Sequence, residues 1–258
     1  MPALSTSPLA KLSSAGSVAP LPAWKRALDL ACCCLALPAL ALGTLLISVL
    51  IAFVSPGPIF FRQERVGLRG RRFRLFKFRT MHMGAATSQH QAYFATLMAT
   101  GAPMQKLDAK GDSRLIPGGW LIRATGLDEL PQIINVLRGE MSVVGPRPCL
   151  AYEYENYTSA QRRRFRSVPG LTGLWQVSGK NQTSFGRMIR LDVYYSAKKS
   201  LWLDLKILGL TLPAIVRQVV QMMAARRKSN RQPLPAEALS DAPPTRLSAR
   251  KGRVTTTP

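Results

Sequence analysis

Acidic residues are scarce in this 258-residue sequence: 13 Asp and Glu stand against 36 Lys and Arg, which gives a formal charge of +23 and a pI near 11.0. Such a balance requires an anionic partner, and nucleic acid, anionic lipid and a phosphorylated substrate all remain open. Only two histidines, His82 and His90, are present, which excludes a multi-histidine zinc centre.

The spacing of the four cysteines fits neither a metal site nor a disulfide framework. Three are consecutive, Cys32 to Cys34, and Cys149 stands alone. Neighbouring residues of a helix point in different directions, so the triplet is neither a disulfide framework nor a CxxC metal site. The N-terminus lacks the basic start of a secretory signal, and its Ser, Ala and Pro content predicts a disordered leader.

Basic residues cluster where the sequence meets a long apolar run. Eight basic residues and one acid lie between Arg62 and Arg79, and a second cluster lies in the tail after Arg226. A juxtamembrane basic cluster gains roughly 1 kcal/mol per residue at an anionic leaflet. The first partner that the charge distribution predicts is therefore a membrane surface.

The apolar run at residues 27–54 is long enough to enter a membrane. As a straight helix it would extend ~42 Å, beyond the ~30 Å hydrocarbon core, so a tilted spanning helix is one interpretation. Pro38 near its middle would bend the helix, and basic residues flank both ends, whereas the positive-inside rule expects them mainly on one side. A helix-break-helix hairpin that returns to the same leaflet fits equally well.

Three other segments predict secondary structure near a membrane or a core. Apolar and basic residues alternate from Arg72 to Arg79, which predicts a strand or an interfacial helix. Residues 152–166 predict one helix that ends in a solvated or membrane-facing basic run. Residues 201–223 are apolar but carry three charges, so an amphipathic helix on a membrane or protein surface is expected rather than a second span.

Asp128 and Glu129 open a second helical pattern. Leu and Ile recur at three-to-four spacing as far as Leu137, which predicts a helix that tolerates Pro131 in its first turn and ends near Gly139. We expect the apolar face of this helix to pack inward. Its N-terminus favours ionised carboxylates, by about 0.3–1 kcal/mol at exposed sites.

Two interpretations of this acidic pair remain open on the residues alone. Acids in a first turn are often only helix caps. Here, however, Arg123 and Arg147 flank the pair, and anions held among cations are typical of a site for a phosphorylated substrate and a divalent metal. Downstream, the glycine-rich segment 169–181 predicts either a hairpin or a loop in which Trp175 or Gln176 meets a base or sugar.

The sequence carries, in order, the blocks Lys25-Arg26-Ala27-Leu28-Asp29, Pro58-Ile59-Phe60-Phe61-Arg62-Gln63, Lys77-Phe78-Arg79-Thr80-Met81, Leu127-Asp128-Glu129-Leu130-Pro131-Gln132, residues 141–148, residues 169–176 and Leu191-Asp192-Val193-Tyr194-Tyr195. No single block is specific, but several blocks in this order are. Together they resemble the bacterial sugar transferase family, the monotopic phosphoglycosyl transferases, in its short form. The resemblance covers residues 24–216 apart from a variable stretch at 83–110.

The resemblance implies an α-rich fold with a minor β component. A small cytoplasmic catalytic domain would sit on a re-entrant helix-break-helix hairpin, with amphipathic helices at the membrane interface. Pro38 would then be the helix break, although the chain has Leu37 where members of the family often have Ser. The domains that follow are a disordered leader at 1–24, a membrane hairpin at 25–58, a catalytic domain at 59–225 and a basic disordered tail at 226–258.

The same resemblance implies a site. Asp128 matches the nucleophile that attacks the β-phosphorus of a nucleotide diphosphosugar, Glu129 matches its partner, and the two would bind Mg²⁺. The remaining matches are phosphate contacts at Lys77, Arg79, Arg123 and Arg147, and nucleotide or sugar contacts at Gln176 and Asp192.

The activity implied is transfer of a sugar-1-phosphate from a UDP-sugar to polyprenyl (undecaprenyl) phosphate through a covalent aspartyl intermediate. This would be the first membrane step of exopolysaccharide synthesis or of another surface glycan such as lipopolysaccharide. The expected location is the bacterial inner membrane, with the catalytic domain in the cytoplasm, lipid and downstream glycosyltransferases as partners, and no nucleic acid. One alternative is a non-catalytic, membrane-tethered basic protein that binds nucleic acid or anionic lipid. Another is a transferase of the same fold acting on a different isoprenoid phosphate.

Overall fold

The computed structural model describes residues 21–85, 93–94, 96–98, 100, 112–180 and 183–231. Most of the predicted leader and tail lies outside the described residues, whereas the described residues between 93 and 98 are helical. The described chain is mostly helical with two small sheets, which confirms the α-rich class. Its helices are α1 (Ala23–Val54), α2 (Gly119–Thr125), α3 (Ile133–Leu137), α4 (Ala151–Glu155), α5 (Ser159–Arg162), α6 (Leu174–Val177), α7 (Phe185–Lys198) and α8 (Leu201–Arg231), and its strands are β1 (Phe60–Val66), β2 (Arg72–Phe78), β3 (Ser142–Val144) and β4 (Gly170–Thr172).

Helix α1 is one continuous helix of 32 residues. Pro38 lies inside it, so the predicted break does not interrupt the helical structure. A proline removes one backbone hydrogen bond and bends a helix, but the turns on either side can continue. The helix ends at Ser55, which is extended, and Gly57 follows with φ of 110°.

The N-terminal end of α1 is fixed to the rest of the protein by buried polar contacts. Lys25 Nζ lies 2.5 Å from Asp204 Oδ2 in α8 and donates to the carbonyl oxygen of Val144 at 2.9 Å. One turn later, Asp29 accepts from the Ser142 hydroxyl at 2.7 Å. These contacts join α1, β3 and α8.

The C-terminal end of α1 packs against the same body of the protein. Ile47 and Ile51 are buried with Phe78 of β2 and Ile122 of α2. Between the two attached ends, most apolar side chains of α1 point away from the protein. The exposed ones include Leu35, Leu37, Leu42, Leu45 and Leu46.

Helix α8 shows a second apolar surface. Its buried side carries Asp204, Ile207 and Gln218, while Trp202 and Leu212 are exposed on the opposite side. Both α1 and the part of α8 up to residue 224 are long and apolar enough to cross a membrane, judged by length and composition only. Helix α8 runs to Arg231, beyond the boundary predicted at 225.

Strands β1 and β2 form an antiparallel hairpin, which confirms the strand interpretation of the alternating basic and apolar residues. Its turn contains Arg69 and Gly70, both with positive φ. The hairpin carries Lys77 near its end, opposite Phe61. Residues that follow β2 connect to α2, because the amide of Ile116 donates to the carbonyl oxygen of Thr80 at 3.1 Å.

Strands β3 and β4 pair in parallel and bring two distant loops together. Two glycines permit this approach: a Cβ on Gly170 would lie 2.0 Å from the amide nitrogen of Gly145, closer than any side chain tolerates. The segment that leads to Arg147 therefore lies directly against the start of the glycine-rich segment.

The helical pattern that begins at the acidic pair forms as predicted, but the other side packs inward. Residues 127–132 are a 3₁₀ turn that continues into α3, and Gly139 follows with φ of 75°. Leu127 and Leu137 are 39% and 45% exposed, whereas Asn135 on the opposite side is fully buried. Sequence periodicity predicts that a helix has an apolar face, but it does not specify what covers that face. In a protein that already exposes two apolar helices, a third exposed apolar surface is consistent with the rest of the structure.

The segment 152–166 is not one helix. It divides into α4, α5 and a 3₁₀ turn at Arg163–Arg166, because Thr158 adopts an extended backbone and caps α5 by accepting from the amide of Gln161. The basic run at its end is not uniformly solvated either. Arg164 is fully buried, while Arg163 and Arg166 are exposed.

Candidate active site

The acidic pair lies at a sharp reversal of the chain. Gly126, with φ of 78°, ends α2 and starts the 3₁₀ turn that carries both acids. The Asp128 side chain is only 8% exposed, whereas that of Glu129 is 39% exposed. Adjacent side chains on a helical turn diverge by ~100°, so the two carboxylates have different surroundings.

Lys77 forms ion pairs with both acids of this pair. Its Nζ lies 2.8 Å from Glu129 Oε1 and 3.8 Å from Asp128 Oδ2. Strand β2 positions it, because the turn with the acids packs against that strand. The lysine therefore bridges the two carboxylates, and its role as a phosphate contact stays a prediction.

Arg147 lies in the loop that follows β3. Its Nη1 is 3.6 Å from Glu153 Oε2, and the side chain keeps 26% of its surface exposed. Glu153 is itself buried and accepts from the amide of Leu150 at 3.0 Å. A buried carboxylate thus orients a guanidinium that still reaches solvent, which is the arrangement that a phosphate contact requires.

Arg123 and Gln176 have less defined surroundings. Arg123 lies in the last turn of α2, and its Nη1 is 3.4 Å from the Thr80 hydroxyl. Gln176 donates from Nε2 to the carbonyl oxygen of Leu171 at 3.1 Å, and its Oε1 is buried without a hydrogen-bond partner in the described part of the chain. Their predicted ligand contacts remain predictions. Trp175 is buried in the core, so it does not present its ring to a base.

Arg79 is used differently from what the sequence predicts. Its guanidinium donates to the carbonyl oxygens of Ser55, Pro56 and Pro58 at 2.6–2.8 Å and to the Ser55 hydroxyl at 3.0 Å. The side chain is buried, at 5% exposure. Because its donors are directed at the chain that leaves α1, Arg79 fixes the end of α1 and is not directed at a phosphate.

Asp192 is likewise not exposed to a ligand. It is fully buried in α7 and forms an ion pair with Arg164, which is also fully buried. The predicted contact with a nucleotide or sugar is therefore corrected: this carboxylate acts within the protein interior. Sequence alone could not pair the two residues, since a helix and a turn 28 residues apart bring them together.

Two cations near the acidic pair were not among the predicted site residues. Lys180, in the glycine-rich segment, is within electrostatic reach of Glu129, Lys77, Asp128 and Arg147. Burial lowers the pKa of its ammonium, Glu129 opposes this shift, and Lys77 adds to it. Its place in the glycine-rich segment, directly after Gly179, is the sequence signal that could have indicated it.

Arg65 is the second such cation. It is 9% exposed, donates from Nη2 to Gln63 Oε1 at 2.6 Å, and has a buried Nε without a partner in the described part of the chain. Burial, and next Arg147, lower the pKa of its guanidinium to about 10. Backbone pairing between Val66 and Cys149 explains how β1 comes to lie beside the Arg147 loop.

These residues give the site a surplus of positive charge. Lys77, Arg147, Lys180 and Arg65 share the region with the carboxylates of Asp128, Glu129 and Glu153. Partly buried cations without matching carboxylates favour a bound anion, and guanidinium groups suit phosphate oxygens.

The side chains of the site provide only some of the ligands that a divalent cation needs. Within the described residues, no group of three His, Cys, Asp or Glu side chains could hold a metal ion. Mg²⁺, however, is usually bound by one or two carboxylates together with substrate phosphates and water. Asp128 and Glu129 fit that more limited requirement.

A carboxylate pair within a cationic site, in a protein with two exposed apolar helices, is typical of membrane-associated proteins that bind phosphorylated ligands. The family then follows from comparison: the chain belongs to the bacterial sugar transferase family, whose profile matches residues 21–218. It is therefore a transferase.

Named relatives agree with this assignment. Galactosyl transferase CpsE of Streptococcus agalactiae serotype III (strain NEM316) is 43% identical over 182 residues, which cover 68% of this chain and 40% of CpsE. Exopolysaccharide production protein ExoY of Sinorhizobium fredii (strain NBRC 101917 / NGR234) is 39% identical over 191 residues, 74% of this chain and 84% of ExoY. Undecaprenyl-phosphate galactose phosphotransferase of Salmonella typhimurium (strain LT2) is 37% identical over 162 residues, 63% of this chain and 34% of that protein. The chain thus spans less than half of the first and third relatives and most of ExoY.

Proposed function

We propose that this protein transfers a sugar-1-phosphate from a nucleotide diphosphosugar to polyprenyl phosphate, an early step in surface-glycan synthesis. The observation that carries the proposal is the position of Asp128: a nearly buried carboxylate bridged to Glu129 by Lys77, with Arg147 and Lys180 nearby. Relatives named as undecaprenyl-phosphate and UDP-glucose:undecaprenyl-phosphate sugar phosphotransferases support the same chemistry, with UDP as the nucleotide.

The first step forms a covalent intermediate. An Asp128 carboxylate oxygen forms a bond to the β-phosphorus, and the bond from that phosphorus to the bridging oxygen breaks. The bridging oxygen leaves with the electron pair as part of the nucleoside monophosphate. An ionised carboxylate needs no base for this step.

The second step releases the enzyme. A phosphate oxygen of the polyprenyl acceptor bonds to the same phosphorus, the Asp128–phosphorus bond breaks, and polyprenyl-diphospho-sugar leaves. The 8% exposure of the Asp128 side chain limits access of water, which would otherwise hydrolyse the intermediate.

The surrounding cations act on the charge of the substrate. Lys77, Arg147 and Lys180 would neutralise the diphosphate and the charge that develops on the leaving phosphate. Glu129 keeps Lys77 in place through the 2.8 Å contact. Mg²⁺, held by Asp128 and Glu129 with phosphate oxygens, would supply further Lewis-acid stabilisation.

The attachment of α1 supports a monotopic arrangement. Both ends of the helix contact one catalytic body, while the leucines between them are exposed. A helix that crossed the bilayer could not return its far end to a domain on the near side. We therefore propose that α1 enters and leaves the same leaflet, bending at Pro38, with the catalytic domain on the cytoplasmic face of the inner membrane.

Trapping the intermediate tests the proposed function. Incubation with UDP-sugar labelled in the sugar, without lipid acceptor, should leave one label per active site on the Asp128 peptide and release an equal amount of UMP. Addition of polyprenyl phosphate should then transfer the label to lipid. Label that leaves UDP-sugar only in the presence of lipid would instead indicate direct transfer.

The pH dependence of the reaction tests the position of Lys180. Burial lowers the pKa of the Lys180 ammonium, so it loses its proton at a lower pH than an ordinary lysine does. The value of kcat/KM should therefore begin to fall at an alkaline pH below the ordinary range of lysine titration. Lys180→Arg should move this alkaline limb upward, since a guanidinium keeps its proton. The matched variant Lys198→Arg, at an exposed position, should leave the profile unchanged. An alkaline limb that is identical in Lys180→Arg would contradict the assignment.

A further inference from the structure

The buried ion pair between Arg164 and Asp192 makes specific contacts with the loop of the proposed site. Arg164 Nη2 donates both to Asp192 Oδ2 and, at 2.9 Å, to the carbonyl oxygen of Arg147. The amide of Arg147 in turn donates to Asp192 Oδ2 at 3.4 Å. Both polar groups of the Arg147 main chain are therefore bound by one ion pair.

The pair is itself fixed by the surrounding interior. Arg164 Nη1 donates to the Tyr157 hydroxyl at 3.2 Å, and the Ser196 hydroxyl donates to the Arg164 carbonyl oxygen at 2.7 Å. The side chains of Arg164 and Asp192 are fully buried. The pair thus connects α7 and the turn after α5 to the loop that carries Arg147.

Stability alone does not account for these two charges. Burying an ion pair costs desolvation energy that the mutual attraction often does not exceed, and apolar residues of similar volume are frequently as stable. Here one atom of each partner, Asp192 Oδ1 and Arg164 Nε, is also buried without a hydrogen bond in the described part of the chain. What the charges do provide is directional contact with the Arg147 main chain on both its amide and its carbonyl.

We propose that Arg164 and Asp192 are positioning residues that hold the Arg147 main chain so that its guanidinium meets a phosphate of the nucleotide sugar. The proposal rests on the proposed function. Pro146 and Pro148 limit the backbone on either side of Arg147, and Glu153 orients its side chain, so the ion pair fixes the remaining freedom of the loop. Shifts of about 1 Å at such a contact can reduce the rate by ~100-fold.

A double-mutant cycle tests this inference, with kcat and KM for the nucleotide sugar measured separately. Asp192→Asn should lower kcat/KM by ~10–100-fold, because the neutral amide no longer fixes Arg164 and Arg147. In the Arg147→Gln background the same substitution should have no further effect, since the group it positions is absent. The control variant Arg72→Gln, in an exposed ion pair with Glu64, should leave kcat/KM unchanged.

A milder variant keeps the test valid if Asp192→Asn is poorly folded. Tyr157→Phe removes only the hydroxyl that contacts Arg164 and leaves both charges in place. We expect a loss of a few-fold in kcat/KM that is likewise absent in the Arg147→Gln background, while the melting temperature falls by the same amount in both backgrounds because the buried Arg164 donor loses its partner.

The outcomes separate the inference from the function on which it rests. Equal losses in both backgrounds would overturn the inference, because the pair would then act on the whole fold and not through Arg147. An Arg147→Gln protein with normal kcat/KM would also overturn it, while trapping of label on Asp128 would still support the proposed transferase reaction.

Discussion

Asp128→Asn is expected to abolish turnover, with a loss of ~10³-fold or more in kcat, since the amide is a poor nucleophile and cannot form the bond to phosphorus. Asn has nearly the same shape as Asp, and Lys77 keeps its 2.8 Å contact with Glu129, so the local structure should be retained. The loss should appear both in UMP release and in formation of the lipid product. Circular dichroism and membrane fractionation should show a folded, membrane-bound protein.

The neighbouring carboxylate provides the matched control. Glu129→Gln leaves the proposed nucleophile in place and removes only the partner of Lys77, so a smaller loss of ~10–100-fold and continued labelling of Asp128 are expected. A non-catalytic basic protein makes the opposite prediction: its ligand affinity would fall with salt and be indifferent to Asp128→Asn. Substantial turnover by the Asp128→Asn protein would contradict the aspartyl mechanism directly.

The sequence predicted those elements whose residue pattern is local. Alternation from Arg72 to Arg79 indicated a strand or an interfacial helix, and β2 is a strand. The long apolar runs indicated α1 and α8. The parallel pairing of β3 with β4 was not predictable, because each strand has only three residues. The pairing also depends on the close approach of two backbone segments at Gly145 and Gly170, where a side chain would not fit.

The same distinction applies to the site. The motif around Asp128 could be identified from the sequence because its acids stand at the start of a helical pattern. The direction of a long cationic side chain, by contrast, depends on its tertiary neighbours. Lys77 and Arg79 are only two positions apart in the sequence. Arg79 nevertheless binds the end of α1, whereas Lys77 contacts the two acids. Lys180 lies within electrostatic reach of the same acids, although it follows Glu129 by 51 residues in the sequence. No short motif could therefore contain both residues.

Asp204→Asn is expected to produce a large loss of stability. It leaves the Lys25 ammonium, 1% exposed, without its carboxylate, and removing one partner of a buried pair typically costs ~3–5 kcal/mol in the free energy of unfolding. Because Lys25 also donates to the Val144 carbonyl oxygen, loss of the pair should loosen β3 and the N-terminal end of α1 together. Denaturant unfolding in nanodiscs, with limited proteolysis of α1, measures both effects. The exposed pair provides the control, since Glu64→Gln should cost less than about 1 kcal/mol.

Removing both charges separates the cost of an unpaired ion from the value of the pair. In the Lys25→Met, Asp204→Leu double variant neither charge is left buried alone, and Tyr195 keeps the Val144 carbonyl oxygen as an acceptor at 3.1 Å. Its unfolding free energy should therefore lie closer to that of the unmodified protein than that of Asp204→Asn does. A double variant at least as unstable as Asp204→Asn would mean that the ion pair itself, through its contacts with β3, stabilises the attachment of α1 to the catalytic domain.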